Sequence, residues 1–145
     1  MKISTKGRYA LRMLVDLAEH ENCGFIALKD IAKRQGISKK YLEQIVPVLN
    51  KTDILMANRG FQGGYKLAQP ADKYTVGMIL RLTEGSLSPV VCLDQNPVQC
   101  ERSGECATLP VWQGLYKVII DYLDQITLQD ILDQQKEYGS NNYRI

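Results

Sequence analysis

Apolar positions recur with a helical period over residues 5–20, TKGRYALRMLVDLAEH, where Leu11, Leu14, Val15 and Ala18 fall at i, i+3, i+4 and i+7. This spacing predicts an amphipathic helix with one apolar face. Gly24 breaks the pattern. A shorter helix is predicted over residues 28–35, LKDIAKRQ, with Leu28, Ile31 and Ala32 inward and Gly36 as its stop signal. Ser38 is placed to cap a third helix, SKKYLEQIVPVLNK, whose apolar face carries Leu42, Ile45, Val46 and Leu49. Pro47 has no N–H for the Glu43 carbonyl, so a kink or an early end is expected there. Two short helices joined by Gly36, Ile37 and Ser38 carry the signature of a helix-turn-helix.

The period then changes. ILMANRGFQGGYKLA holds two short strand-like runs around a glycine-rich turn, which predicts a hairpin with Gly60, Gly63 and Gly64 supplying positive φ. A helix-turn-helix followed by a hairpin with a basic tip reads as a winged helix. Thr75 opens another helix, TVGMILRLTEG, after which periodicity lapses. It returns from Val111 to Ile126, where Trp112, Leu115, Val118, Ile119, Tyr122, Leu123 and Ile126 form a stripe wider than a surface helix needs. Packing on its own domain would use part of that stripe, and a second copy of the chain would use the rest. Dimerisation is the favoured reading, because one winged helix reads a single half-site and two-fold operators present two. Thr127 is expected to cap a short closing helix, TLQDILDQQ, and YGSNNYRI has no apolar period. The expected fold class is mainly α with a small β-hairpin. A winged helix-turn-helix occupies residues 1–85, a cysteine loop 86–110, a dimerisation helix and closing helix 111–135, and a flexible tail 136–145.

Charge sharpens this division. Residues 1–85 hold 14 Lys and Arg against 8 Asp and Glu, net +6, whereas residues 86–145 hold 4 against 8, net −4. A basic first part suits a polyanion and an acidic second part avoids one. No apolar run reaches ~18 residues and the N-terminus has no leader-like apolar core, so no membrane span and a cytoplasmic location are expected. No phosphate-binding loop, Ser-His-Asp set or acid–base pair is present, and an enzyme is not expected.

The first turn of a recognition helix reaches base edges in the major groove. Here it presents Ser38, Lys39, Lys40 and Tyr41, with Gln44 one turn on and Glu43 beside it. Gln44 suits adenine, whose N6 and N7 it can bond together, and Glu43 suits cytosine N4. The lysines suit phosphates, which fix position without reading sequence. Arg59 at the hairpin tip suits a narrow minor groove.

The aperiodic stretch contains CLDQNPVQCERSGEC, with Cys92, Cys100 and Cys106 spaced C-x7-C-x5-C. In a reducing compartment such thiols favour metal or redox chemistry over disulfides. The residues alone leave open a cluster site, a thiol redox switch and a structural zinc loop. Three thiols are one short of a usual four-ligand shell. Cys23 lies outside this group, in the turn after the first helix.

ISTKGRYAL, DIAKRQGISKKYLEQI and RGFQGGYKLA, with the later ITLQDIL, resemble the winged-helix transcription regulators of the Rrf-two type, the family of IscR, NsrR and CymR. The resemblance runs from Met1 to about Gln134 and rests on several motifs together. It implies a homodimer crossing at Val111–Ile126, bound to double-stranded DNA of approximate two-fold symmetry. It implies DNA contacts at Ser38, Lys40, Tyr41, Gln44 and Arg59, with Glu43 distinguishing operator classes. It also implies a 2Fe–2S cluster on Cys92, Cys100 and Cys106, control of cluster-biogenesis genes, or, as the alternative, a cluster-free thiol-responsive repressor. The sequence departs from the pattern at Leu109, where a ligating histidine is expected. Some members use an acidic residue near the start of the first helix instead, but the matching position here is Arg8, followed one turn on by Arg12. His20, Asp94, Glu101 and Glu105 are the remaining candidates for a fourth ligand.

Overall fold

The computed structural model describes residues 2–61 and 63–142, the last three by backbone alone. Its helices are α1 (Thr5–Glu19), α2 (Leu28–Gln35), α3 (Lys39–Leu49), α4 (Val76–Glu84), α5 (Leu109–Gln125) and α6 (Leu128–Asn142), and its strands β1 (Leu55–Asn58) and β2 (Gly64–Leu67). The predicted class, mainly helical with one hairpin, is the observed one.

The first helix is the hub. Ser4 caps it by accepting the Gly7 N–H at 3.1 Å. Ala10, Met13, Leu14, Leu17 and Ala18 are buried, whereas Leu11 and Val15 are only half-buried. The apolar face is therefore rotated from the one predicted, because α1 is covered from several sides, by α2, α3, α4, α6 and β2. In α3 the expected face is the buried one: Leu42, Ile45, Val46 and Leu49. Ser38 caps it by accepting the Tyr41 N–H at 3.1 Å. Pro47 sits inside a helix that continues to Leu49, so the early end is a matter of two residues. Gly36 adopts φ 64°, a left-handed stop that permits the tight turn between α2 and α3.

The hairpin pairs antiparallel, Leu55 with Leu67 through Asn58 with Gly64. A third segment joins it. Ile26 donates to the Tyr65 carbonyl and accepts from the Tyr65 N–H, both at 2.8 Å. Gly64 and Gly60 do not take positive φ, contrary to expectation. Gly64 is needed for proximity instead: a Cβ there would strike the Ile26 carbonyl group.

The fourth helix carries α5 across its outer side. Tyr116, Ile120, Leu123 and Ile126 pack against Val76, Leu80 and Leu87. Arg81 donates twice to the Asp124 carboxylate at 2.8 Å. A short antiparallel bridge joins the α5–α6 corner to the extended residues before α4: Val76 N–H to the Ile126 carbonyl at 2.8 Å, and Leu128 N–H to the Tyr74 carbonyl at 3.0 Å. Thr127 and Asp130 then form a reciprocal capping box at 2.9 and 3.0 Å, the cap expected at Thr127. From there α6 runs to Asn142, well beyond the short closing helix predicted, and replaces much of the expected loose tail. The remainder of that tail, residues 143–145, lies outside the described residues.

Candidate nucleic-acid interface and cysteine loop

The cap at Ser38 aims the first turn of α3 outward. Lys39, Lys40, Glu43 and Gln44 are exposed, while Leu42 and Ile45 on the opposite side are fully buried. This division holds the exposed turn rigidly, because the same helix is bolted to the core behind it. Lys39 lies 3.8 Å from Glu43, one turn on, and tempers its negative charge at the edge of the surface. Tyr41 is half-buried, with its ring edge-on to Tyr9 at 5.3 Å, so it also packs α3 on α1.

An open cleft runs between the starts of α2 and α3 and the hairpin. Lys29, Lys39, Glu43, Asn58, Arg59 and Phe61 are among its lining residues. The structure thus brings Lys39 and Glu43 together with Arg59, which lies some 20 residues away in sequence. Ser38, Lys40 and Gln44 lie on the same helix but not in that cleft. Two residues here escaped the sequence reading. Lys29 reads only as an ordinary helix-start charge. The available signal for Phe61 was an aromatic in a glycine-rich turn with no apolar partner in either strand.

The cysteine loop begins immediately after α4. Asp94 accepts hydrogen bonds from the hydroxyls of Ser86, at 2.7 Å, and Ser88. These bonds hold its carboxyl below the usual range and tie the turn Val91–Leu93, which contains Cys92, to the residues that follow α4. Cys92 and Cys100 line one shallow cleft with Val91, Asp94, Gln95 and Gln99. Cys106 lies at the start of α5, with Sγ 3.4 Å from the Thr108 hydroxyl. The Thr108 side chain and then the Thr108 and Leu109 N–H groups favour its thiolate and lower its pKa. All four cysteines are exposed and free. Among the described residues no group of three or more His, Cys, Asp or Glu side chains is close enough to hold a metal ion.

Arg8 donates to Thr5 and Arg12 to Gln35, and neither cation can ligate a metal. His20 Nδ1 bonds the Asp16 carbonyl at 2.8 Å within its own helix. Leu109 is the first residue of α5 and is half-buried. Among the described residues no helix is long and apolar enough to cross a membrane.

Comparison with known proteins gives a consistent picture. The family profile described as Rrf2, iron-dependent transcriptional regulator, matches residues 3–134. Protein rrf2 of Nitratidesulfovibrio vulgaris is 39% identical over 132 residues, covering 91% of this chain and 87% of that protein. The HTH-type transcriptional regulator IscR of Erwinia tasmaniensis is 36% identical over 136 residues, covering 94% and 81%. Among solved structures, T. potens IscR superposes with TM-score 0.76 at 40% identity, covering 95% of this chain and 90% of that one. CymR, the global cysteine regulator of B. subtilis, superposes with TM-score 0.75 at 36% identity, covering 92% and 98%.

Proposed function

The chain belongs to the Rrf2 family of transcriptional regulators, which are not enzymes, and from that premise we propose a specific division of labour. It binds operator DNA as a homodimer through α3 and the wing, and it senses iron–sulfur cluster status through the loop of Cys92, Cys100 and Cys106. The observation that carries the DNA reading is the single cleft lined by Lys29, Lys39 and Arg59 beside an exposed, rigidly backed helix turn. Gln44 and Glu43 read base edges, Ser38, Tyr41 and the lysines position the backbone, and Arg59 enters the minor groove. Genes of cluster biogenesis are the targets that the family resemblance suggests.

For the cluster, donor chemistry and donor placement must be weighed separately. Soft thiolates suit iron–sulfur clusters, most simply 2Fe–2S, and Cys106 is already biased toward thiolate. Placement is incomplete, because Cys92 and Cys100 share a cleft that Cys106 does not line. The three cysteines would hold the group only after the loop closes. When bound, it supplies a one-electron couple and a cross-link across the loop. The rest follows from the chain itself. Asp94 ties the loop back to its own first residues, Ser86 and Ser88, just past α4, and Cys106 begins the turn into α5. Loop closure therefore acts on the α4–α5 pair, and α4 packs in turn against α3. The effect on DNA binding is limited to the preference of the bound group for one arrangement.

A cluster-free thiol switch is the second reading, carried by the cleft that Cys92 and Cys100 share. Anaerobic purification separates the two. Visible absorbance with iron and sulfide, lost in Cys92→Ala, Cys100→Ala and Cys106→Ala but retained in Cys23→Ala, is the expected outcome. A colourless protein carrying stoichiometric zinc overturns the proposal. A reversible Cys92–Cys100 disulfide without iron establishes the second reading in its place.

A further inference from the structure

Phe61 stands at the tip of the wing with its side chain wholly in solvent, at 106% of its reference exposure. The next most exposed large hydrophobic among the described residues, Val91, is at 85%. A hairpin turn has no need of an aromatic ring, since small and polar residues satisfy its backbone geometry. Neither strand packs on the ring. Gly60, which precedes it, has open space where a Cβ would stand. What accompanies Phe61 is charge: Arg59 in the same turn, and Lys29 and Lys39 on the walls of the cleft that Phe61 itself lines.

An apolar ring projecting from a basic rim suits a polyanion that offers an apolar interior. Duplex DNA has that construction, with phosphates outside and stacked base faces within. Proteins that insert an apolar side chain from the minor groove partly unstack a base step. We propose that Phe61 is such a wedge, entering the minor groove beside Arg59 and loosening the base step beneath the wing. The inference rests on the DNA-binding reading above and adds a second contact of different chemistry to it. Arg59 contributes charge, whereas Phe61 contributes contact area without charge.

The test uses the full chain and a duplex that wild-type protein selects from a random-sequence pool. Phe61→Ala should weaken binding by about tenfold, as expected for loss of a buried aromatic side chain. The salt slope should stay unchanged, because no phosphate contact is lost. Phe61→Leu should retain most of the affinity. Arg59→Ala, by contrast, should reduce the salt slope by about one. Permanganate should attack thymines beneath the wing in complexes with wild type and Phe61→Leu, but not with Phe61→Ala. Affinity of Phe61→Ala equal to wild type, or a permanganate pattern that the substitution leaves unchanged, overturns the wedge while the DNA-binding reading stands. A wild-type chain that selects no duplex overturns both. The side chain is entirely exposed, so these variants should fold as wild type does.

Discussion

At the scale of single residues, Asp16 stands out as the one buried charged side chain among the described residues. It is 1% exposed, yet it lies on the helix that forms the core of the domain. Arg34 binds both of its oxygens at 2.7 and 3.0 Å, and Gln35 donates at 3.0 Å. These bonds join α1 to the end of α2 and so set where α3 begins. Burial raises the carboxyl pKa, but the Arg34 and Gln35 hydrogen bonds and the Arg34 charge outweigh it, and the net displacement is below 3.8. A depressed carboxylate pKa contributes stability above the unfolded value and loses it as pH falls toward the folded one. The stability gap between wild type and Asp16→Asn should therefore be constant near neutrality and shrink below pH 3.8, measured by urea unfolding across pH. Arg34→Ala leaves the buried carboxylate without its cation and should cost about 3 kcal/mol in the same assay at pH 7. A gap that persists unchanged into acid would contradict this account. Asp16 is barely legible in the sequence. A carboxylate in an apolar period reads as a solvent-facing residue, and its partners lie 18 and 19 positions away.

At the scale of elements, legibility followed periodicity. The face of α3 was readable because four core residues repeat at helical spacing and a serine marks the start. The hairpin was readable from its glycines, although the reason for them was not. Gly64 is small because Ile26 crosses over it, and a one-residue strand has no period to detect. Gly64→Ala should consequently loosen the wing root and destabilise the fold by about 1–3 kcal/mol, the usual range for forcing extra volume into a packed site. Thermal denaturation measures that cost, and amide exchange at Ile26 and Tyr65 localises it. Unchanged protection of both amides would show that the crossing tolerates a Cβ. The extent of α6 was missed for the opposite reason. QQKEYGSNN lacks an apolar stripe, yet the helix continues because its start is secured by Thr127 and Asp130 and by the buried Leu128. The candidate site was legible in part: the first turn of α3 and Arg59 follow from motif and charge, but the cleft that Lys39, Glu43 and Arg59 share depends on tertiary placement.

At the scale of the whole molecule, the exposed side of α5 dominates. Val111, Leu115, Val118 and Tyr122 are 59%, 43%, 65% and 58% exposed and lie at i, i+4, i+7 and i+11, one continuous stripe. The same helix already spends Tyr116, Ile120, Leu123 and Ile126 on α4. The breadth of the apolar stripe in the sequence is thus explained by two faces, one used within the chain and one left for the proposed second copy. Val118→Asp should weaken dimerisation by at least ~10-fold, or ~1.4 kcal/mol. Sedimentation velocity reads the change, and an unaltered circular dichroism spectrum is expected because Val118 is solvent-facing in the single chain. Equal sedimentation of wild type and variant at all concentrations would place any self-association elsewhere.

The bridge between Thr75 and Thr127 gives this helix an unequal mechanics. With 17 residues, α5 is roughly 25 Å long, and its bonds to the body are gathered near the far end, at Asp124 and Ile126. Its first apolar contact with the cluster of Val76, Leu80 and Leu87 is Tyr116. Its hydrogen-bonded clamp is at Ile126, and the cysteine loop joins the opposite end. A tilt about that clamp carries Val111 several times farther than Tyr122. Any strain that the loop exerts is therefore felt first, and most strongly, at the end of the apolar stripe nearest Cys106.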